Sequence, residues 1–502
     1  MRRFGKVEHG FSLVEALVAL AVGMVTVVVI MQALGNAEAQ RRMISSGGDA
    51  NSSGTIALQL LQRDVLNAGF GMSIAADGVA DSDLYSACGA LPLEAHNLVR
   101  ALGDGSLGPQ LIQLPARSLV PVTRFDARSS GTGITAPTPA YLTAPFPGES
   151  ATNPTGFDAD TDILQITYSG ASSFIGAGVP IQSSFAGSRF QIHTSGALAT
   201  VSKRTGIHQG DIVVVGDSPA RTSDTPPRVP CIVAQATHVH SKAPPPSAAW
   251  VDDCGVTTTT DLDDTAIWYR TGTYRNWHRR SAITGSCEND TAVWNSAALP
   301  SAGGSYTVPR IYTLGSPDRF VMRAYGIRRG QLTVCNPLLQ DCTNSGNWAT
   351  IADGIVSMRV MLGIDGNSDN AVTPPTYAAN GTITALNEWN RNLPAHIVGT
   401  LPTPASPLVR WNQFRSIHIA IVARSATLQR DPIATATCQP DWAGYRHDDT
   451  VAPSTRTCGG TVDNANGQFW LASGYDGANW QRYPARVFET TVPIRSLFWS
   501  NN

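Results

Sequence analysis

An α+β fold is expected for this chain: one long N-terminal helix, half of it in a membrane, packed on a β-rich domain outside the cytoplasm. Three features carry that expectation. An apolar run from Phe11 to Leu34 holds a single charge, Glu15. Short β-type runs recur after it, separated by Gly- and Pro-rich turns. Charged residues are only 15% of the 502-residue chain, with 46 Gly and 32 Pro, which suits a loop-rich exported protein better than a cytosolic enzyme. The formal net charge of −2 gives no global attraction to nucleic acid or anionic lipid.

The helix comes first. Phe11–Leu34 would be about 36 Å long as a helix, enough for a bilayer core of about 30 Å. Arg2, Arg3 and Lys6 make a short basic head before it. A cleaved secretory signal would use Ala37-Glu38-Ala39, but the run is too long for a signal core. An ordinary anchor explains the length and leaves Glu15 unexplained, since a carboxylate in lipid is costly. Beyond the span, Ile56, Leu60, Leu61, Val65 and Leu66 recur at helical spacing, with Arg63-Asp64 on a polar side. This amphipathic half is expected to end near Gly69 and Gly71. Between the halves, Gly47, Gly48 and Gly54 each weaken a helix by about 1 kcal/mol. That stretch reads equally as a hinge or as an exposed loop.

The expected organisation is a leader over 1–10, a membrane half over 11–34, an amphipathic half over 35–72, and a β-rich domain over 73–502. Strands are expected at Asp162–Tyr168, Arg189–His193, Asp211–Val215, Cys231–His238, Arg319–Ile327 and Gly330–Val334. Met358, Val360 and Leu362 alternate as another, as do Ile417, Ile419 and Ile421, and Val487–Ile494 closes the set. Residues 351–356 read as a short helix. Residues 75–155 read as irregular, and 241–310 as an exposed insertion that the core fold does not need.

Eight cysteines, all beyond the apolar segment and without a C-x-x-C pair, read as disulfides in an exported chain. Closeness in sequence favours Cys335 with Cys342, Cys438 with Cys458, and Cys231 with Cys254, leaving Cys88 with Cys287.

Three constellations could carry chemistry. Asp365, Asn367 and Asp369 stand at i, i+2 and i+4, as in the first half of a calcium loop, but the later Gly and Glu are missing, and an Asp- and Asn-rich turn reads as well. His238 and His240 would share a strand face without a third metal ligand. Tyr274, Arg275, Trp277, Arg279 and Arg280 interleave aromatic with basic side chains, which suits single-stranded nucleic acid and equally an acid-paired surface loop. Asp261, Asp263 and Asp264 just before them weaken the field. No G-x-S-x-G elbow, H-E-x-x-H pair, P-loop or dinucleotide fingerprint is present, so the chain is read as a non-enzyme without a resident cofactor.

Gly10-Phe11-Ser12-Leu13-Val14-Glu15 resembles the type IV prepilin cleavage motif. The segments Asp211–Val215, Ala352–Asp365, Phe414–Ser425 and Val487–Arg495 resemble those of PilW-like minor pilins. The resemblance implies cleavage between Gly10 and Phe11 by prepilin peptidase, N-methylation of Phe11, and pairing of Glu15 with a subunit's N-terminal amine. It implies an inner-membrane protein with a cytoplasmic N-terminus and a periplasmic domain, later part of a surface fibre serving adhesion or twitching motility. Its partners would be other minor pilins, the major pilin, the assembly platform and the bilayer. A pseudopilin of a type II secretion system shares the leader, and a tip adhesin or DNA-binding module could reside in the insertions.

Overall fold

The computed structural model describes residues 12–72, 88, 93–96, 111–114, 122–126, 140–149, 155–158, 161–170, 178–182, 189–192, 206–217, 231–239, 250–255, 257–258, 266–292, 295, 306, 309–337, 340–365, 371–372, 388–390, 414–429, 432 and 476–494. Helix α1 (Leu13–Asn67) runs unbroken for 55 residues, about 82 Å at 1.5 Å per residue. It passes straight through Ser45–Gly54, so helix replaces the loop reading of that stretch. It stops where Gly69 and Gly71 take positive φ values of 73° and 67°, a conformation glycine adopts without a Cβ clash.

Strands follow in chain order: β1 (Leu93–His96), β2 (Leu111–Leu114), β3 (Val122–Asp126), β4 (Asp162–Ser169), β5 (Val179–Pro180), β6 (Arg189–Gln191), β7 (Ile212–Asp217) and β8 (Cys231–Gln235). Next come β9 (Trp250–Val251), β10 (Thr257–Thr258), β11 (Ala266–Trp268), β12 (Gly272–Arg280) and β13 (Cys287–Ala292). The last group is β14 (Pro309–Gly315), β15 (Phe320–Arg328), β16 (Gln331–Cys335), β17 (Ala349–Asp353), β18 (Ile355–Ile364), β19 (Trp389–Asn390), β20 (Phe414–Arg424) and β21 (Ala485–Pro493).

Three sheets line one core. The first has the order β2-β1-β8-β7-β14-β5 and is antiparallel apart from the β1/β8 pair. The second, β17-β16-β15-β4-β3, and the third, β19-β18-β20-β21, are antiparallel. The alternating strands place one face inward, as period-two patterning requires. Ile212 and Val214 from the first sheet, Leu164 and Ile166 from the second, and Val360 and Ile419 from the third meet Ala57, Leu61 and Val65 of α1. The opposite faces are covered too. Val213, Val215 and Ile232 pack on Phe190, Ile267 and Tyr269, while Val356 and Val422 pack with Trp389 and Trp480. Burial on both faces explains why β18 is buried along its whole length.

Strands β4 and β15 are neighbours, with Ser169 opposite Phe320. Gly170 N donates to Arg319 O at 2.9 Å. Everything between them is thus an excursion from what would otherwise be a hairpin turn. The first sheet belongs largely to this excursion, and its inner face lines the shared core.

Four expectations need correction. Residues 351–356 are strand, turn and strand, because Gly354 at φ 73° reverses the chain between β17 and β18. Residues 75–155 contain the short strands β1, β2 and β3: β2 pairs with β1, while β1 and β3 pair with β8 and β4 beyond the segment. The segment 241–310 is not separable from the core, since Ile267, Tyr269 and Tyr306 are buried in the second apolar cluster. Asp64 does not lie on an outer polar face: it is buried, 5% exposed, against the second sheet.

Candidate functional site

The features that bear on function are the N-terminal helix, its seat on the domain, and the expected ligand patch. Gly10 and Phe11 lie outside the described residues. Ser12 precedes the first helical turn, and Glu15 stands within it, where a carboxylate suits the positive end of the helix dipole. Leu13–Gly35 has a mean hydropathy of 2.7 and none of it is buried. This 23-residue span is about 35 Å long, membrane-crossing length. A helix of this length and hydropathy suggests a membrane anchor in the N-terminal half. Among the described residues the chain supplies no hydrogen-bond or ion-pair partner for Glu15.

The other half of α1 is fixed by shape and by charge. A Cβ on Gly54 would come within 2.3 Å of the Phe488 ring on β21, so glycine lets helix and strand approach this closely. By contrast, a Cβ on Gly47 or Gly48 would meet nothing within 4 Å. One turn before the helix ends, Asp64 accepts from Arg323 Nη1 at 2.7 Å and from the Tyr325 hydroxyl. Burial, with Asp64 beside it, pushes the Tyr168 hydroxyl up as well. Ile56 and Leu60 stay outside, 48% and 37% exposed.

Among the described residues three disulfides are formed. Cys335 joins Cys342, the pairing expected from their closeness. Cys88 joins Cys231, and Cys254 joins Cys287. The pairings Cys231–Cys254 and Cys88–Cys287 are therefore wrong. Closeness in sequence misled because sheet topology decides: Cys231 opens β8, directly opposite Leu93 of β1, and that brings it to Cys88. Cys438 and Cys458 lie outside the described residues.

The expected ligand patch falls on the β12–β13 hairpin, which splits it. Tyr274 is 3% exposed, and its hydroxyl accepts from Gln235 Nε2 at 2.8 Å. Burial pushes that hydroxyl well above its usual range. The Trp277 ring is stacked on His208, centroids 4.1 Å apart at 21°, with the Arg280 guanidinium 5.6 Å from its centroid. Arg279 Nε lies 3.7 Å from Asp290 Oδ2. Arg275, Arg279 and Arg280 are exposed, as is Ile283 at the hairpin tip. The arrangement therefore offers exposed cations while Tyr274 and one face of Trp277 are already in use. Sequence reasoning missed His278 on this strand and His208 and Asp211 beneath it. The only signal was that His278 shares a strand face with Tyr274.

Asp365 of the expected calcium loop is fully buried and accepts from Arg415 Nη2 at 3.3 Å. Asn367 and Asp369 lie outside the described residues, as does His240. His238 forms an isolated bridge to Trp268. Among the described residues no group of three or more His, Cys, Asp or Glu is placed to hold a metal ion.

The comparisons with known proteins fit this geometry. Residues 325–496, from within β15 to just beyond β21, match a family described as type IV pilus-assembly protein W. Over these residues the chain is similar to that family, which supports a type IV pilus-related protein. No curated protein and no solved structure matches the chain.

Proposed function

We propose that this protein is a minor pilin: a prepilin cut after Gly10 and methylated on Phe11, which helps prime a type IV pilus and stays in the fibre near its tip. The observation that carries this reading is the continuity of α1. A membrane-length apolar half and a domain-seated half form one helix without a break. Such a subunit can be stored in the bilayer and then drawn into a fibre as a rigid unit. Glu15, without a partner in its own chain among the described residues, is free to meet the amine of a neighbour's Phe11, which would offset the cost of a carboxylate in lipid. Ile56 and Leu60 extend an apolar strip beyond the membrane and suit packing against adjacent helices. The partners are prepilin peptidase, the major and other minor pilins, and the inner-membrane assembly platform.

Deleting the chain should strongly reduce surface fibres seen by microscopy. Unchanged fibre number with lost protein secretion would instead favour a type II pseudopilin. N-terminal sequencing should find Phe11 first, whereas a start near Gln40 would identify an ordinary signal peptide. Glu15→Ala should preserve insertion and cleavage while lowering the amount recovered in sheared pili. Wild-type recovery would sink the pairing idea.

A further inference from the structure

The β12–β13 hairpin docks on the first sheet without joining its apolar packing. Its strands pair only with each other among the described residues, and none of its side chains belongs to the second apolar cluster. Polar contacts hold it down. Tyr274 meets Gln235, Asn276 lies over Gly210, and His278 Nε2 is 2.6 Å from Asp211 Oδ1. Gly210 takes φ +91°, and a Cβ there would sit 2.9 Å from Asn276 Oδ1, so this approach needs glycine.

Asp211 is the hub. It is 2% exposed and also accepts from the His208 backbone N–H at 2.8 Å and from Thr313 Oγ1 at 3.3 Å. The His208 ring, stacked on Trp277, has its Nδ1 3.8 Å from Asp211 Oδ2. The base of the hairpin is fixed separately. Asn295 bonds both backbone groups of Gln235 at 2.8 Å and the Arg270 carbonyl at 3.1 Å. Gly272, at φ +106°, starts the strand. Cys254–Cys287 tethers the far half to the loop after β9.

We propose that β12–β13 is a latched flap, hinged at Gly272 and Asn295, tethered by Cys254–Cys287, and held shut by His208 and His278 on Asp211, so that rising pH loosens it. Opening would uncover Tyr274 and the hidden face of Trp277 beside Arg275, Arg279 and Arg280. The aromatic and basic side chains interleaved in this strand would then act together only in the open state.

The charged groups facing the latch set the direction. Burial would lower the His208 imidazole, but the nearby carboxylates of Asp211 and of Asp253, from the loop after β9, raise it above its usual value. Burial would raise the Asp211 carboxyl, but His208 and His278 hold it below the usual carboxylate range. Asp290 and Arg279 act further along, on Tyr274. A raised imidazole contributes fully below the undocked value of about 6.5 and is lost as pH rises through the docked one. A lowered carboxyl contributes above about 3.9 and is lost only on acidification below that. The latch thus fails first on the alkaline side.

Hydrogen exchange of the full chain in detergent, disulfides intact, tests this at about pH 6 and about pH 8.5, corrected for intrinsic exchange. Hairpin amides should lose about fivefold more protection than those of β18 and β20, the difference between a charge-assisted and a neutral hydrogen bond. His208→Gln should flatten the pH response, and His278→Gln, which removes a contact to Asp211, should lower hairpin protection at both pH values, while β18 and β20 stay protected. A hairpin whose protection ignores pH in the wild type, or a response retained in His208→Gln, would overturn the proposal.

Discussion

Asp64 is where helix and sheet are joined by charge rather than by apolar contact. It is buried and takes hydrogen bonds from Arg323 and Tyr325. Asp64→Ala should destabilise the domain by about 2–3 kcal/mol, discounted for the 42% exposure of the Arg323 side chain, as measured by urea unfolding. Asp64→Asn, which keeps an acceptor, should cost less. Equal losses would mean that the charge contributes nothing. His418 works in the opposite sense. Burial pushes its imidazole down, and Glu489, 3.4 Å away, only partly offsets this. A lowered imidazole makes the unfolded chain the better proton acceptor, so stability should fall as pH drops below about 6.5. His418→Gln should flatten that fall, and an unchanged acid profile would exclude His418 as its source. At this scale the sequence was least legible. The burial of Asp64, Asp211 and Tyr274 depends on strands far away in the chain, and periodicity placed Asp64 outside because it cannot anticipate two donors arriving from β15.

Gly47, Gly48 and Gly54 of α1 separate two kinds of element-level effect. At Gly47 and Gly48 nothing stands within 4 Å of a new Cβ, so Gly→Ala at both should raise stability by up to about 1 kcal/mol each through helix propensity. At Gly54 the same change gains that propensity but drives a methyl into Phe488. Overpacking typically costs about 1–3 kcal/mol, so Gly54→Ala should be net destabilising. A double variant with Phe488→Leu should recover part of the loss, and additive losses would mean the two residues are not in contact. Most longer strands were legible because their apolar alternation is local. Asp162–Tyr168, Gly330–Val334 and the alternating Ile417, Ile419 and Ile421 reappear in β4, β16 and β20. Most of the unread strands are short, β12 and β14 being the exceptions. Those over 93–126 carry too few residues to show a period, and β1 and β3 form because β8 and β4 present them with open edges. The reversal at Gly354 likewise looks helical only while its two sides are read as one segment.

At the scale of the molecule, distant pairings hold the pieces in place. On the loop-entropy account, disulfide separations of 143, 33 and 7 residues correspond to about 5, 4 and 2 kcal/mol. Replacing Cys88 and Cys231 together by Ala should therefore destabilise more than replacing Cys335 and Cys342. The reverse ranking in denaturant titrations would show that native strain, not loop closure, governs them. The fold class and the apolar anchor could be read from composition and hydropathy. The excursion between β4 and β15 could not, because nothing in either strand announces which neighbour it will take. The contact between Gly54 and Phe488 also imposes an order in time. A ribosome makes α1 well before β21, so the groove that seats the helix is completed only after the intervening strands. The helix must wait, its inner face bare, until the residues between Gly54 and Phe488 have been made. The interval is long enough for a chaperone or protease to act, and a late stop codon that removes β21 should therefore yield a degraded protein rather than a shortened one.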